Sequence, residues 1–425
     1  MKTQEIISLV TVPFFMGAIG YVTNWTGVWM LFEPVQFKGV RVPGLRKVAE
    51  MFPRKVQDVP GIMNGGLGWQ GIIPSRAAKM GSIAVDKGIA KLGGASDFYE
   101  KLEPDRMAKH IVESSRGDIR ELVDTAVQRE HPQLWRELTP DLREAVHERV
   151  ERQFPDIVHA VTDEIGRNID QLLDVKMMVI RKIEERPELS NKIFKSVGDK
   201  ELKFIINFGF FFGFACGFPS AGIFYLLHSP ITLILLGMVV GWLTNWIAIL
   251  MIFEPVEERR VWGVFKWQGL FIRRQKEVAD IYAEVISEDI ITIENIGEEL
   301  LHGASADRTR SMVRSALRPA IDQAVGSVRP LIRLAVGPDE YDAIRETVAL
   351  EGVEYTMTPL QDSDFNKEQS KRIKKLIAER MREMDSNDFS EMLRSAMKQD
   401  EWLLIAHGAV LGIVGGGFHA FLFPG

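Results

Sequence analysis

Two asparagines inside apolar stretches are the residues of this chain whose chemistry most needs an explanation. Asn24 and Asn245 each follow a threonine, Thr23 and Thr244, about two helical turns inside an uncharged run. A polar side chain in lipid is costly and often contacts a ligand or an ion. Its simpler role is a hydrogen bond between helices, worth roughly 0.6 kcal/mol on average. We favour the simpler role because glycines and threonines, which suit close helix packing, surround both asparagines.

A carboxylate followed by a proline ends both of these apolar runs. The closing residues are Phe32, Glu33 and Pro34 in the first run and Phe253, Glu254 and Pro255 in the second. Proline disfavours helix in the residue before it and therefore sets the direction in which the chain leaves the helix. The glutamates can bind cations, but we expect them to pair with lysine or arginine at the water interface.

The sequence contains no recognisable catalytic pattern. His159 and Asp163 are spaced as two metal ligands on one helix face, but no second pair accompanies them, so a solvated polar face is expected. Nucleophile-elbow, phosphate-loop, HExxH and CxxC motifs are absent from the sequence. The net charge of −6 argues against a nucleic-acid partner. We therefore expect a non-enzymatic protein without metal or cofactor.

The two asparagine motifs are copies of each other. Residues 20–35 read GYVTNWTGVWMLFEPV and residues 241–256 read GWLTNWIAILMIFEPV, with nine identities. Residues 69–71 and 267–269 both read Trp-Gln-Gly, and an arginine follows five positions later in each copy. The first copy carries 23 extra residues before Trp-Gln-Gly, which we expect to form a surface loop. The sequence thus predicts a tandem duplication.

Uncharged runs place four helices in a membrane. Residues 6–32, 204–253 and 402–425 carry no Asp, Glu, Lys or Arg, and about 20 apolar residues suffice for one span. A turn at residues 228–230 divides the longest run into two helices. The chain is expected to comprise a transmembrane helix over 1–32, a soluble helical region over 33–203, a transmembrane hairpin over 204–253, a second soluble helical region over 254–401 and a last transmembrane helix over 402–425.

Glycine ladders predict where the membrane helices touch. Gly209, Gly213 and Gly217 share one face of the second span, and Gly408, Gly412 and Gly416 share one face of the fourth. Small residues at such spacing let helix backbones approach closely. The fold class expected is all-α, with two parallel repeats related by an axis along the membrane normal. Asn24 and Asn245 are expected to meet near that axis.

The soluble regions carry long amphipathic stripes. Apolar residues recur every three or four positions between Asp141 and Glu185, which predicts one helix of roughly 65 Å, kinked at Pro155 and ended near Pro187. A similar stripe runs from Val313 to Ile332. A helix of this length cannot bury its stripe alone, so we expect it to pair with other helices, lipid or a second copy of the chain.

The distribution of lysine and arginine predicts on which side of the membrane the soluble regions lie. Within 25 residues of the span ends, 23 of them lie on the side of the soluble regions and Lys2 alone lies on the other. An excess of these residues marks the cytoplasmic side. The soluble regions are therefore expected in the cytoplasm.

These motifs resemble the bacterial membrane family called domain of unknown function 445, which includes YheB-like and YjiN-like proteins. The resemblance lies in Gly-x-x-Thr-Asn followed after seven residues by Phe-x-Pro, in Gln-Gly, and in a closing Gly-x-x-x-Gly span. Residues 193–205 and 392–412 are similar to the stretches that precede the membrane in that family. The resemblance implies a multi-pass protein of the bacterial inner membrane, and it brings no established activity or ligand.

Two functions are compatible with these sequence features. The favoured one is a membrane-anchored scaffold whose amphipathic helices bind partner helices or a second copy of the chain. The alternative is a conduit for lipid or another hydrophobic solute along the pseudo-twofold axis. The absence of Asp, Glu, Lys and Arg from the spans argues against ion or proton coupling.

Overall fold

A computed structural model describes residues 3–423 except 64, 84–85, 87–93, 262–264, 327–328 and 356–357. The structure is 83% helical, which confirms the all-α expectation. The ends of the first and last expected segments (1–2 and 424–425) and Val328 of the second stripe lie outside the described residues.

The chain divides into two compact units, and both are discontinuous in sequence. We call the first the membrane unit; it comprises Met1–Gly88, Ile180–Tyr282 and Ala378–Gly425. The second, the helical unit, comprises Ile89–Val179 and Ala283–Ile377. Both expected soluble regions therefore contribute their middles to one unit, which the linear order of the segments does not indicate.

Helices of ten or more residues dominate the described part of the chain. They are α1 Thr3–Phe32, α2 Pro104–Ser114, α3 Asp118–Glu130, α4 Pro140–Leu172, α5 Val175–Glu185, α6 Glu188–Leu227, α7 Pro230–Phe253, α8 Gln275–Asp289, α9 Ile293–His302, α10 Ala306–Val325, α11 Pro338–Tyr355, α12 Ser363–Glu383, α13 Ser386–Lys398 and α14 Glu401–Leu422.

Shorter elements connect these helices. The short helices are Leu45–Ala49, Arg54–Gln57, Pro60–Met63, Ile72–Ser75, Ala77–Ile83, Ala95–Lys101, Pro132–Glu137, Leu270–Arg273 and Arg329–Val336, with a 3₁₀ turn at Thr358–Gln361. Two antiparallel hairpins pair β1 Lys38–Arg41 with β2 Gly66–Trp69 and β3 Arg259–Val261 with β4 Phe265–Trp267. The expected surface loop of the first copy is thus built from a hairpin and short helices.

Three described helices, α6, α7 and α14, are long and apolar enough to cross a membrane. The expected count was four, and α1 is not among these three. Pro230 occupies the first turn of α7, where its missing N–H removes no helical hydrogen bond. His228 has a left-handed backbone (φ 47°) that ends α6, so the turn expected at residues 228–230 is observed.

The expected single rod over residues 141–185 is wrong. The helix breaks after Leu172, because Leu173 is extended (φ −111°, ψ 107°). A new helix, α5, then begins at Val175, and the carboxylate of Asp174 accepts a hydrogen bond from the Met177 amide at 2.9 Å. An aspartate that accepts from a first-turn amide stabilises a helix start, which explains why two helices replace one here.

The amphipathic stripes of the helical unit pack against each other. Val161 on α4 joins Val313 and Leu317 on α10 and Ala349 on α11 in one buried cluster. Ser305, just before α10, donates to the carbonyl of Gln171 near the end of α4, so the two helices run antiparallel. The stripes therefore find their partners within the same chain.

Candidate functional site

Both glycine ladders are contact surfaces between helices. Gly209, Gly213 and Gly217 of α6 lie against Gly20, Met16 and Pro13 of α1, and Gly408, Gly412 and Gly416 of α14 lie against Gly241, Gly237 and Leu233 of α7. A Cβ atom added at any of these six ladder glycines would overlap backbone atoms of the opposite helix. The helices therefore form two antiparallel pairs, α1 with α6 and α7 with α14.

Each motif asparagine ties one of these pairs together. Asn24 donates from Nδ2 to the carbonyl of Ile205 at 2.6 Å, and Asn245 donates to the carbonyl of Leu404 at 2.5 Å. Thr23 and Thr244, which precede them, are fully buried. The two asparagines were expected to meet near a shared axis, directly or through a water, but their amides bond across their own helix pair rather than to each other. The packing role is the one that the hydrogen bonds support.

The helix-exit motifs bind residues that precede the apolar part of the partner helix, on α6 itself in the first case and on α13, just before α14, in the second. Asn191 of α6 donates to the carbonyl of Phe32 at 2.7 Å, and Lys195 pairs with Glu33 at 2.8 Å. In the second copy, Arg394 pairs with Glu254 and lies over the ring of Phe253. The glutamates thus pair with cations, as expected. Both Glu–Pro peptide bonds, before Pro34 and before Pro255, are cis.

The Trp-Gln-Gly motif forms hydrogen bonds to the two residues that follow the glutamate of each helix-exit motif. Gln70 donates to the carbonyl of Val35 at 2.8 Å, and the Gly71 amide donates to the carbonyl of Pro34 at 2.9 Å. Gln268 and Gly269 make the same two bonds to Val256 and Pro255, at 2.9 and 3.0 Å. The repeated motifs are therefore neighbours in space, which explains why they recur together in the sequence.

Two buried ion pairs join residues of the range 33–203 to residues of the range 254–401, and we call them the crossed ion pairs. Arg76 pairs in bidentate fashion with Asp400, with both contacts at 3.2 Å. Arg274 pairs with Glu201. The side chains of Glu201 and Asp400 are 3% and 5% exposed, so each carboxylate depends on its arginine for compensation.

Charge around Arg274 extends to the surface. The Arg274 guanidinium and then Lys200 lower the pKa of Glu277 to about 2, mainly through hydrogen bonds. The hydrogen bond to Glu277 in turn raises the pKa of Arg274. Glu277 and Arg274 are therefore both ionised at neutral pH.

A small cavity of about 60 Å³ in the membrane unit is lined mainly by α1, α6 and α7. Its lining contains seven pairs of residues at equivalent motif positions, namely Asn24 and Asn245, Gly27 and Ala248, Val28 and Ile249, Leu31 and Ile252, Phe32 and Phe253, Gly198 and Met397, and Ile205 and Leu404. The two asparagines thus face one shared space although they do not bond to each other. Asn24 Oδ1 and Glu201 Oε2 accept no hydrogen bond from the described residues.

A larger cavity of about 280 Å³ lies within the helical unit. It is lined by α2, α3, α4, α9, α10 and α11, and its walls are almost entirely apolar. The central wall residues include Val158, Val161, Val313 and Leu317. These residues belong to the apolar stripes described from the sequence, but the stripes did not predict a space between the helices.

Three of the hydroxyl groups in this lining, those of Tyr99, Thr162 and Thr309, are already bonded to the protein backbone. Tyr99 donates to the carbonyl of Thr162 at 2.8 Å, and Thr162 donates to Val158 at 2.8 Å. Thr309 donates to the carbonyl of Ser305 at 3.2 Å. Burial raises the pKa of Tyr99, so its hydroxyl stays protonated and remains a donor. The cavity therefore presents hydrocarbon surface to an occupant.

Sequence reasoning missed the crossed ion pairs and the membrane histidines. Glu201 and Asp400 occupy the same position in residues 193–205 and 392–412, so the signal was an acidic residue shared by these two stretches. His407 and His419 of α14 lie 2.9 and 3.1 Å from the hydroxyls of Thr26 and Thr11 on α1. The sequence offered no partner for either histidine.

Comparison with known proteins gives short matches to bacterial membrane proteins. The chain is 30% identical over 113 residues to the UPF0754 membrane protein of Shouchella clausii, covering 25% of this chain and 29% of that protein. It is 32% identical over 97 residues to the UPF0754 membrane proteins of Staphylococcus aureus strains JH9 and Newman, covering 22% of this chain and 25% of each. The matched segment thus spans less than a third of these relatives.

No family model matches the chain. No solved structure matches it either. The relatives and the three apolar helices together identify the chain as a membrane protein.

Proposed function

We propose that this membrane protein binds a lipid chain in the apolar cavity of its helical unit. The observation that carries the proposal is the cavity of about 280 Å³ with almost entirely apolar walls. Cavities of roughly 300 Å³ and above are typical of small-molecule sites. In a membrane protein, lipid is the abundant molecule with the matching chemistry.

Packing energetics favour an occupied cavity. Apolar walls that face an empty space lose packing contacts, as residual cavities in protein cores do, and this loss is destabilising. A hydrocarbon chain in the cavity restores these contacts and so supports the unit that it occupies.

The scaffold function has less support in the contacts. It requires amphipathic stripes that are open to a partner protein or to a second copy. Val161 and Ile165 of α4 instead pack against α10, so the centre of the longest stripe is occupied within the chain. We therefore propose lipid binding ahead of a scaffold.

We propose for the membrane unit four spans arranged as a tandem parallel duplication. The support is that the two helix pairs pack alike. Helix α1 contacts α6 through Asn24 and Gly209, and α7 contacts α14 through Asn245 and Gly408. The uncharged run of α1 suits a fourth span. The motifs also support membership of the domain-of-unknown-function-445 family and a place in the bacterial inner membrane.

The lysine and arginine asymmetry supports a cytoplasmic helical unit. A reporter that is active only outside the cytoplasm, fused after Arg116 or after Arg345, is expected to be silent at both positions. Signal at both positions would invert this sidedness, and signal at one would contradict the four spans.

Filling the cavity tests lipid binding. Gly352 lies in the lining on α11, and a Cβ atom there would meet Leu317 Cδ1 at 3.5 Å, an ordinary contact. Gly352→Phe therefore adds a ring to the cavity without a backbone clash and removes a helix-weakening glycine. We expect the lipid that co-purifies with the protein, measured by mass spectrometry after extraction and expressed per protein, to fall at least severalfold.

Gly117→Phe is the matched control, because Gly117 is exposed in the same unit and no atom lies within 4 Å of its Cβ position. It is expected to retain the lipid content of the unmodified protein. Equal lipid content in both variants, with both folded, would mean that the lipid lies elsewhere and that the cavity is not its site.

A further inference from the structure

The lining of the large cavity contains a single charged side chain among the described residues, Arg149 of α4. An interior with hydrocarbon walls and one cation suits a molecule that is itself apolar along its length and anionic at one point. This inference rests on the lipid binding proposed above and concerns the chemistry of the bound molecule.

The lining of the cavity extends along α4 and α10, and Arg149 lies near one end of it. On α4 the lining residues run from Val146 to Ile165, about 28 Å of helix at 1.5 Å per residue. Arg149 belongs to the first turn of that stretch. On the antiparallel α10, the lining ends at Val325, and the Arg149 guanidinium lies against the backbone of Gly326 just beyond it. Both helices therefore place the cation at the same end.

The opposite end offers no comparable polar group. Thr162 and Thr309 lie towards it, and each hydroxyl donates to a backbone carbonyl of its own segment. A chain that crosses one membrane leaflet covers about 15 Å, half of a hydrocarbon core of roughly 30 Å. Such a chain fits along the aliphatic part of the cavity with its head beside Arg149.

The chemistry of the Arg149 guanidinium determines which head group the bound molecule can carry. Arginine presents five N–H donors in a fixed planar arrangement, so it can bind a carboxylate or phosphate in addition to partners within the protein. Arg149 is partly exposed, which allows a charged head to keep part of its hydration while the chain is buried. We infer that the cavity binds a single-chain amphiphile with an anionic head, of the fatty-acid type, with the head at Arg149.

The test compares two probes of equal chain length, palmitic acid and hexadecanol, in competition with a fluorescent fatty-chain probe on the detergent-purified full-length protein. The unmodified protein is expected to bind the acid at least about tenfold more tightly than the alcohol. Arg149→Gln is expected to remove this preference by weakening acid binding while hexadecanol binding stays unchanged. Arg152→Gln, an exposed position outside the lining, is the charge-matched control and is expected to keep the preference.

The outcomes separate the two proposals. Equal affinity of the unmodified protein for acid and alcohol would overturn the anionic-head inference and leave lipid binding intact. A loss of both affinities in Arg149→Gln would give that residue a structural role and would also overturn the inference. Failure of both probes to compete would overturn the proposed function itself.

Discussion

Replacing Gly412 with leucine is expected to prevent α7 and α14 from packing and to remove most of the folded protein. A Cβ atom at position 412 would overlap the carbonyl oxygen of Gly237, and leucine adds three more carbons in the same direction. Backbone atoms cannot move aside as a flexible side chain can, so the helices must separate. Gly213→Leu is expected to act alike, because its Cβ would overlap the carbonyl of Met16 on α1.

Val410→Leu is the control for these two variants, since Val410 lies on the same helix as Gly412 and is 57% exposed. The measurement is the yield of monodisperse protein in detergent together with its thermal unfolding temperature. The control should match the unmodified protein in both. If the glycine variants also matched it, the ladders would not be contact surfaces and the two helix pairs would be wrong.

Removing one arginine of a crossed ion pair is the second change with a large expected effect. Arg274→Gln leaves the Glu201 carboxylate, which is 3% exposed, without its compensating charge. Breaking a buried pair from one side typically costs about 3–5 kcal/mol. We expect a loss of this size in the free energy of unfolding, and a similar loss in Arg76→Gln, whose partner Asp400 is 5% exposed.

Two further variants make this experiment specific. Arg274→Gln combined with Glu201→Gln should cost less than the sum of the single changes, because the second substitution removes the unpaired charge. Lys203→Gln breaks an exposed pair with Asp199 and should cost less than about 1 kcal/mol. A loss in Arg274→Gln no larger than in Lys203→Gln would show that the crossed pair contributes little to stability.

The sequence predicted those features that depend on one helix face or one local motif. The glycine ladders, the turn at residues 228–230 and the ion pairing of Glu33 and Glu254 follow from spacing, charge and proline chemistry, and the structure contains all of them. Residues 231–253 were expected as a span between the turn at residues 228–230 and the charged Glu254, and α7 covers Pro230–Phe253.

Features that depend on three-dimensional packing were not predictable in the same way. The break after Leu172 interrupts an apolar stripe whose period continues through it, so periodicity alone gave one rod. Asn24 and Asn245 had equivalent positions, which suggested a mutual bond, but the carbonyls of Ile205 and Leu404 lie closer across each helix pair. The large cavity depends on the side-chain volumes of six helices, and the apolar stripe of any one helix does not reveal it.

Photo-crosslinking with a fatty acid that carries a diazirine near the end of its chain tests the central claim most directly. If the chain enters the cavity with its head at Arg149, the label is expected at lining positions of the far end, between residues 161 and 165 of α4 and between 309 and 313 of α10. Mass spectrometry of the digested protein locates the label, and Gly352→Phe should reduce it severalfold. Labels confined to α1, α6, α7 and α14, with the same intensity in Gly352→Phe, would show that the fatty acid contacts the protein as bulk lipid and would contradict the proposed site.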